Sequence, residues 1–460
     1  MSILLARRTF SSAFLNRKNK DGTIVLKDIS LKSEKITICP GCELSAFFTD
    51  KFKSDILKLS IVMPAEIDDK NIALFALMVN LLRSGSEKYP ERSDIIKRLN
   101  DLYDSSCSIG GFASGENKIF EISSEMLSDK YCDGESVFDG ICELMYQMLF
   151  CPVLDNNGLF REETVKREKN VILDKIKSQK NNTREYAMKR CREIMCKGEA
   201  YGTSVRSETL SELTREEVTA YYNNFINNIS LRFSYVGSKN VNDVSDVIRR
   251  HFCNSVKERS TEIIPLSFKP ANELKSFEEE LNVKQGVLII GMKTGIMLED
   301  ELSHVMCVFN NVYGGTFTSR LFKTVREKMS LCYYCSSDYV NTKGLMFVSC
   351  GIDVNKREET EKAILNELEI LKNDLISDEE LEVAKALTLK EFYDMLDYPG
   401  AIASFYFSRS MYGFDITIED KIEKVKKVTK EDIKALASKI VADTVFFLKG
   451  TAQDEEEDDE

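Results

Sequence analysis

Apolar positions along this chain recur with two periods, and their alternation predicts a mixed protein of strands and helices. Short runs of period two, typical of half-buried strands, alternate with longer runs of period 3.6, typical of amphipathic helices. Two strand-like runs, 36–38 and 43–48, flank Pro40-Gly41, a pair that favours a tight turn. The chain is therefore predicted to open its folded part with a hairpin.

The same order of elements appears twice along the chain. The first series has predicted strands at 36–38, 43–48, 57–63, 107–113, 119–126 and 230–236, and helices at 70–82, 93–103, 137–149, 161–179, 183–196 and 214–225. The second has predicted strands at 287–292, 332–340, 345–351 and 444–448, and helices at 299–312, 319–329, 357–373, 378–396 and from Thr429 onwards.

Repeated helix caps support an internal duplication. Thr214 with Glu217 three residues later has the pattern of a capping box. Thr429 with Asp432 repeats that pattern 215 residues further on. We therefore predict an α+β fold of two homologous halves, each with helices packed on a mainly antiparallel sheet.

The domain boundaries follow from composition. The first half spans residues 36–254, a charged segment with two prolines at 255–276 is a linker, and the second half spans 277–450. The basic, serine-containing residues 1–35 are predicted to be a loosely ordered leader, with an organelle transit peptide as the alternative. Residues 451–460 are almost all acidic and are predicted to be disordered.

Composition excludes several classes of function. A formal net charge of -12 argues against nucleic acid as the main partner, and no run is long and apolar enough for a membrane span. Thirteen cysteines, an odd number without a repeated spacing, favour a reducing cytoplasm. Two C-x-x-C pairs are present, Cys39/Cys42 and Cys332/Cys335, and for the first we expect free thiols, with a redox or zinc role as the alternative. The second pair lies in a predicted strand, whose alternation would point its sulfurs to opposite faces.

The densest motif runs from Tyr313 to Tyr339. Two glycines precede a cationic amphipathic helix, which leads directly into a strand rich in Tyr and Ser. Arg326 and Tyr333 lie seven residues apart across that junction. From composition alone, Arg326 is a solvated charge on a helix that feeds a sheet.

This stretch resembles the second-half signature of the insulinase-like (pitrilysin, inverzincin) metallopeptidases, G-G-x-x-x-S-R-L-x-x-x-[VL]-R-E-x-x-x-L-x-Y. The resemblance covers about 36–450. It implies two halves that form a clamshell, as in mitochondrial processing peptidase and LuxS-like folds. It also implies that Arg326 and Tyr333 bind the substrate backbone beside a zinc ion held by the other half.

The zinc motif that the resemblance implies is absent. An H-x-x-E-H helix places two His ligands on one face with a Glu as the base. Counting back from Gly85, the His positions hold Ala76 and Asn80, and the position of the Glu holds Val79. The third ligand position falls on Lys175, whose charge would repel a cation. We therefore predict no catalytic residue and no metal cofactor.

The features around 50–53, 83–90 and 190–202 resemble a narrower, zinc-less subfamily. That subfamily is associated with the 5-aminopentanol modification of elongation factor P, and its members are paired with a zinc-bearing homologue. The resemblance implies that the chain is the substrate-holding subunit of a heterodimer with such a homologue, and that it binds a peptide or an unfolded segment. The alternatives are a stand-alone binding or scaffold protein and, less favoured, a peptidase with a different site.

Overall fold

The computed structural model describes residues 31–256, 262–271 and 273–451, and within them the chain forms two sheets. The strands are β1 Lys32–Cys39, β2 Cys42–Phe48, β3 Ser54–Pro64, β4 Ser106–Ser114, β5 Asn117–Leu127, β6 Leu231–Gly237, β7 Lys275–Leu281, β8 Gly286–Lys293, β9 Cys332–Val340, β10 Leu345–Ile352 and β11 Val441–Gly450.

Helices fill the intervals between these strands. They are α1 Asp69–Ser84, α2 Arg92–Asp101, α3 Val137–Phe150, α4 Glu162–Ser178, α5 Thr183–Met195, α6 Ser207–Glu212, α7 Arg215–Ile226, α8 Val241–Phe252, α9 Ser303–Tyr313, α10 Arg357–Asn373, α11 Asp378–Met395, α12 Pro399–Met411, α13 Ile418–Lys426 and α14 Lys430–Ala437, with a π-helix at Leu321–Lys328 between α9 and β9.

The two sheets share one topology, and this confirms the predicted fold class. The first has the order β1-β2-β6-β3-β5-β4 and the second has β7-β11-β8-β10-β9. Apart from the added β1, the orders match strand by strand. In each sheet one pair is parallel, β2 with β6 and β7 with β11, and the other pairs are antiparallel. The helices repeat as well: α1 in the first half corresponds to α9 in the second, and α7 corresponds to α14.

The predicted caps stand at equivalent places in the two repeats. Thr214 accepts a hydrogen bond from the backbone N–H of Glu217 at the start of α7. Thr429 does the same with Asp432 at the start of α14. Both are complete capping boxes. Helix α7 is followed by β6 and helix α14 by β11, which are the last strands of the two sheets in sequence order.

One helix of each half packs on the sheet of the other half. Helix α5 of the first half lies across β8, β10 and β11 of the second sheet, where Cys191 and Met195 pack against Ile289 and Phe347. Helix α12 of the second half lies across β3 and β6 of the first sheet, where Ile402 packs with Val236. Both faces of the sheets are therefore covered, one by the half's own helices and one by its neighbour's.

A buried ion cluster joins the hairpin tips of the two halves. Lys343, in the β9–β10 turn, is 2% exposed and pairs with Glu116 in the β4–β5 turn. Its Nζ also lies 2.6 Å from Glu199 Oε2, in the segment that follows α5. Lys343 is therefore held between carboxylates from two different parts of the first half.

Cysteine pairing differs from the sequence prediction. Cys39 at the end of β1 forms a disulfide with Cys253 just after α8, with the Cα atoms 6.2 Å apart. The expectation of a free thiol at Cys39 is therefore wrong, because two cysteines that are 214 residues apart in sequence meet in the fold. Cys42 remains a buried free thiol.

Several boundaries depart from the predictions. Strand β1 begins at Lys32, inside the segment that was assigned to a leader, and β7 begins at Lys275, inside the predicted linker. Linker residues 262–271 pack against the first half: Asn117 at the start of β5, for example, exchanges hydrogen bonds with the backbone of Ile264. Residues 1–30 and 452–460, the rest of the leader and nearly all of the acidic tail, lie outside the described residues. No helix among the described residues is long and apolar enough to cross a lipid bilayer.

Candidate functional site

The expected zinc helix is present without its ligands. Helix α1 starts at the cap Asp68, whose carboxylate accepts the N–H of Asn71, and ends before Gly85. Asn80 bonds to the carbonyl of Ala76 at 2.8 Å and accepts a hydrogen bond from Arg83 at 2.6 Å. The Asn80 side chain is therefore satisfied within its own helix. Val79 is buried in the core of the first half, where a carboxylate base would be costly.

The third ligand position lies on a helix that packs against α1. Helix α4, which carries Lys175 near its end, packs against α1, as the resemblance implies. Lys175 is exposed. The two groups of His, Cys, Asp or Glu side chains that could hold a metal among the described residues are both cysteine groups elsewhere in the fold.

The helix of the second-half signature has an unusual, widened geometry. Its α-type spacing predicts an ordinary helix at 319–329, but residues Leu321–Lys328 form a π-helix, with the N–H of Met329 bonded to the carbonyl of Thr324 at 2.9 Å. Leu321 and Val325 fix its inner face in the core. Such π-segments are rare and occur frequently at functional sites.

A β-bulge places Tyr333 beside this helix. In the pairing of β9 with β10, Ile352 lies opposite Cys332 whereas Gly351 lies opposite Tyr334, so Tyr333 is the extra residue. A bulge re-aims side chains and shifts the alternation of the strand. Tyr333 is 62% exposed as a result.

Arg326 and Tyr333 meet at one open cavity of about 630 Å³. Arg326 Nε donates to the carbonyl of Tyr333 at 3.0 Å, and its guanidinium lies over the ring of Phe322 at 4.5 Å. The Tyr333 hydroxyl donates to Asp353 at 2.9 Å. The other lining residues are Glu327, Ser330, Leu331, Cys332 and Lys356. All eight belong to the second half, so the cavity brings together the two signature residues but not the four degenerate positions Ala76, Val79, Asn80 and Lys175.

The bulge also gathers three cysteines, contrary to the sequence prediction. Because Tyr333 adds one residue to the strand, Cys332 and Cys335 lie on the same face and not on opposite faces. Cys350 lies directly opposite Cys335 on β10. Hydrogen bonds with Cys335 and Cys350, and then the charges of Arg326 and Lys356, lower the pKa of the Cys332 thiol, while burial raises the pKa of the other two.

Sequence reasoning found the signature pair but missed the rest of this site. Asp353 and Lys356 follow β10, and only the pairing of β9 with β10 brings them to the cavity. A signal was available for Cys350, because it lies near the end of a predicted apolar strand that directly follows the predicted strand 332–340 in sequence.

In fold and in sequence the chain is similar to peptidases of the insulinase, or M16, type. The sequence profile described as the peptidase M16 inactive domain matches residues 212–388. The chain is 29% identical to the probable inactive metalloprotease YmfF of Bacillus subtilis, over 88% of this chain and 94% of that protein.

Solved structures share this fold. A conserved protein from Enterococcus faecalis superposes with a TM-score of 0.82 at 25% identity, covering 92% of this chain and all of that one. A peptidase M16 inactive domain from Pseudomonas fluorescens superposes with a TM-score of 0.76 at 17% identity, covering 92% of this chain and all of that one. The resemblance to the insulinase-like peptidases is confirmed in sequence and in fold, and Ala76, Asn80 and Lys175 stand at the positions where that family holds zinc ligands.

Proposed function

We propose that this chain is the substrate-holding subunit of a heterodimer with a zinc-bearing M16 homologue, and that it binds an extended peptide or an unfolded segment. The observation that supports the proposal is the uneven preservation of the two halves. The first half has lost every ligand, whereas the second half keeps Arg326 and Tyr333 together at an open cavity. A π-helix and a β-bulge shape that cavity, and such features are concentrated at functional sites.

Arg326 has the chemistry for binding a peptide backbone. A guanidinium carries five N–H donors, and the bond to the Tyr333 carbonyl uses one of them. The others suit peptide carbonyl oxygens, which accept strongly from a charged donor. The Tyr333 hydroxyl donates to Asp353 at the same cavity, and a phenolic oxygen has the chemistry both to donate and to accept hydrogen bonds.

The partner would supply the zinc chemistry in this arrangement. A chain without ligands at Ala76, Asn80 and Lys175 can contribute to hydrolysis only by presenting substrate to another subunit's metal. The subfamily's association with elongation factor P modification makes a peptide from that process the substrate to test first. We place the heterodimer in the cytoplasm, because thirteen cysteines, an odd number, leave at least one free thiol and so suit a reducing compartment.

The experiment measures peptide turnover by this chain reconstituted with a zinc-bearing M16 homologue from the same genome. Arg326→Ala removes the charged donor and Tyr333→Phe removes only a hydroxyl. Loss of one charge-assisted hydrogen bond costs roughly 1.5–3 kcal/mol, or about 10- to 150-fold in turnover if the bond acts in the transition state. Lys323→Ala, an exposed cation on the same π-helix but outside the cavity lining, is the matched charge control.

Complex formation is followed by size-exclusion chromatography in every variant. We expect assembly and the Lys323→Ala variant to be unaffected, and both site variants to lose turnover. Unchanged turnover in both would refute the substrate-holding role and favour a scaffold protein. Failure of the two chains to associate would refute the heterodimer itself.

A further inference from the structure

Three cysteine sulfurs converge at the floor of the Arg326–Tyr333 cavity. The Sγ atoms of Cys332, Cys335 and Cys350 all lie within 4.8 Å of one another. Cys335 and Cys350 are buried in the core of the second half, and the Cys350 thiol lies 2.7 Å from the Cys335 sulfur. Cys332 is partly exposed and lines the cavity. The group thus extends from the solvent-facing cavity into the core.

This convergence depends on the local backbone. Cys335 and Cys350 are cross-strand partners, which places their side chains on one face of the sheet. Cys332 would point to the other face in a regular strand and reaches this face only because Tyr333 is bulged. A disulfide needs only two cysteines. A third sulfur at the same place favours a metal site in which all three sulfurs are ligands.

We propose that Cys332, Cys335 and Cys350 form a binding site for one thiophilic d¹⁰ cation, Zn²⁺ or Cu⁺. Thiolates select these ions over harder metals. An ion about 2.3 Å from each sulfur holds the sulfurs roughly 4 Å apart. The present positions therefore need shifts of about 1 Å, chiefly a separation of Cys335 from Cys350. The proposal does not depend on the role in peptide binding.

The surroundings suit the charge of such a complex. Three thiolates with Zn²⁺ carry a net charge of -1, and with Cu⁺ a net charge of -2. Arg326 and Lys356 line the same cavity as Cys332. Their positive charges would offset the excess negative charge. Cys332 gives the ion a route from solvent, and Zn²⁺ would keep its fourth position toward the cavity.

The test titrates the reduced, chelator-stripped full chain with Co²⁺, a spectroscopic substitute for Zn²⁺. We expect one Co²⁺ per chain, a thiolate-to-cobalt charge-transfer band in the near ultraviolet, and displacement by one equivalent of Zn²⁺ or Cu⁺. Whichever ion displaces the other in direct competition identifies the preferred metal. Cys332→Ser, at a partly exposed position, should weaken binding by about 100-fold or more, since even outer-shell partners change affinity roughly 10–100-fold.

Cys253→Ser is the matched control, because Cys39, Cys42 and Cys253 form the other cysteine group of the described residues. This variant should keep the band. Circular dichroism verifies that each variant is folded, and Cys350→Ala provides a second loss of ligand. The proposal fails if no band forms, if the band survives in both Cys332→Ser and Cys350→Ala, or if it disappears only in Cys253→Ser.

Discussion

Replacing Lys343 by Met tests how the two halves are joined. Lys343 is 2% exposed, and Lys343→Met keeps the length of the side chain while it removes the charge between Glu116 and Glu199. Glu199, whose side chain is 4% exposed, would then keep only the more distant Lys269, whose Nζ lies 3.8 Å from Glu199 Oε1. Breaking a buried ion pair in this way costs roughly 3–5 kcal/mol.

The expected shift in melting temperature follows from the size of the chain. Unfolding entropy is about 2.1 cal/mol/K per residue, which for 460 residues gives about 1 kcal/mol per degree. Lys343→Met should therefore lower Tm by about 3–5 °C in a calorimetric scan. Lys372→Met, which removes a lysine paired with Glu369 at 2.8 Å on the surface, should change Tm by less than about 1 °C.

The pH dependence adds a second check. Burial acts to raise the pKa of Glu116, but hydrogen bonds from Lys343 and Ser267 outweigh it and hold the pKa below the ordinary value of 4.5. A lowered folded-state pKa gives stability that is present above pH 4.5 and is lost as the pH falls through the folded value. The difference between wild type and Lys343→Met should therefore narrow in acid. A Tm no lower than that of Lys372→Met at neutral pH would refute the reasoning.

Three further outcomes are expected. Asn80→His alone should not create zinc binding at α1, because a zinc site needs three protein ligands; a tightly bound zinc by elemental analysis that depends on this position would contradict the assignment. In denaturant, mass spectrometry after alkylation should count 11 free thiols, and 13 after reduction; 13 without reduction would exclude the Cys39–Cys253 bridge. Ile402→Ala, fully buried between α12 and the first sheet, should cost about 2–5 kcal/mol by denaturant unfolding, and an unchanged midpoint would show that α12 does not cover that sheet.

The duplication was readable from the sequence because it rests on local signals. The caps at Thr214 and Thr429 are formed within three residues, and strands such as β3 and β8 carry apolar runs that need no partner to be recognised. The fold class follows from these elements. The internal repeat also implies α12, because its counterpart α5 was predicted in the first half. Helix α12 was missed because the repeat was not extended to that position.

Other features escaped because their causes are not local. Strand β7 reads KSFEEEL, a charged sequence that becomes a strand only by pairing with β11 at the sheet edge, where such charges are typical. The bulge at Tyr333 and the π-helix before it leave no mark in the apolar spacing. The thiol group and the cavity lining depend on both, so the family resemblance singled out Arg326 and Tyr333 while sequence periodicity gave no sign of their surroundings.

Because α5 and α12 each pack on the sheet of the other half, the order of synthesis on the ribosome determines when each sheet can be covered. All strands of the first sheet have been synthesised once β6 ends at Gly237. Helix α12, which covers one face of that sheet, begins only at Pro399. At roughly 5–20 residues per second, the intervening 161 residues take about 8–30 s to translate. Throughout that interval the nascent chain presents Phe47, Ile56 and Val236 to solvent. The early half of this protein therefore depends on its late half, and a chain that stalls before Pro399 exposes a surface that chaperones recognise.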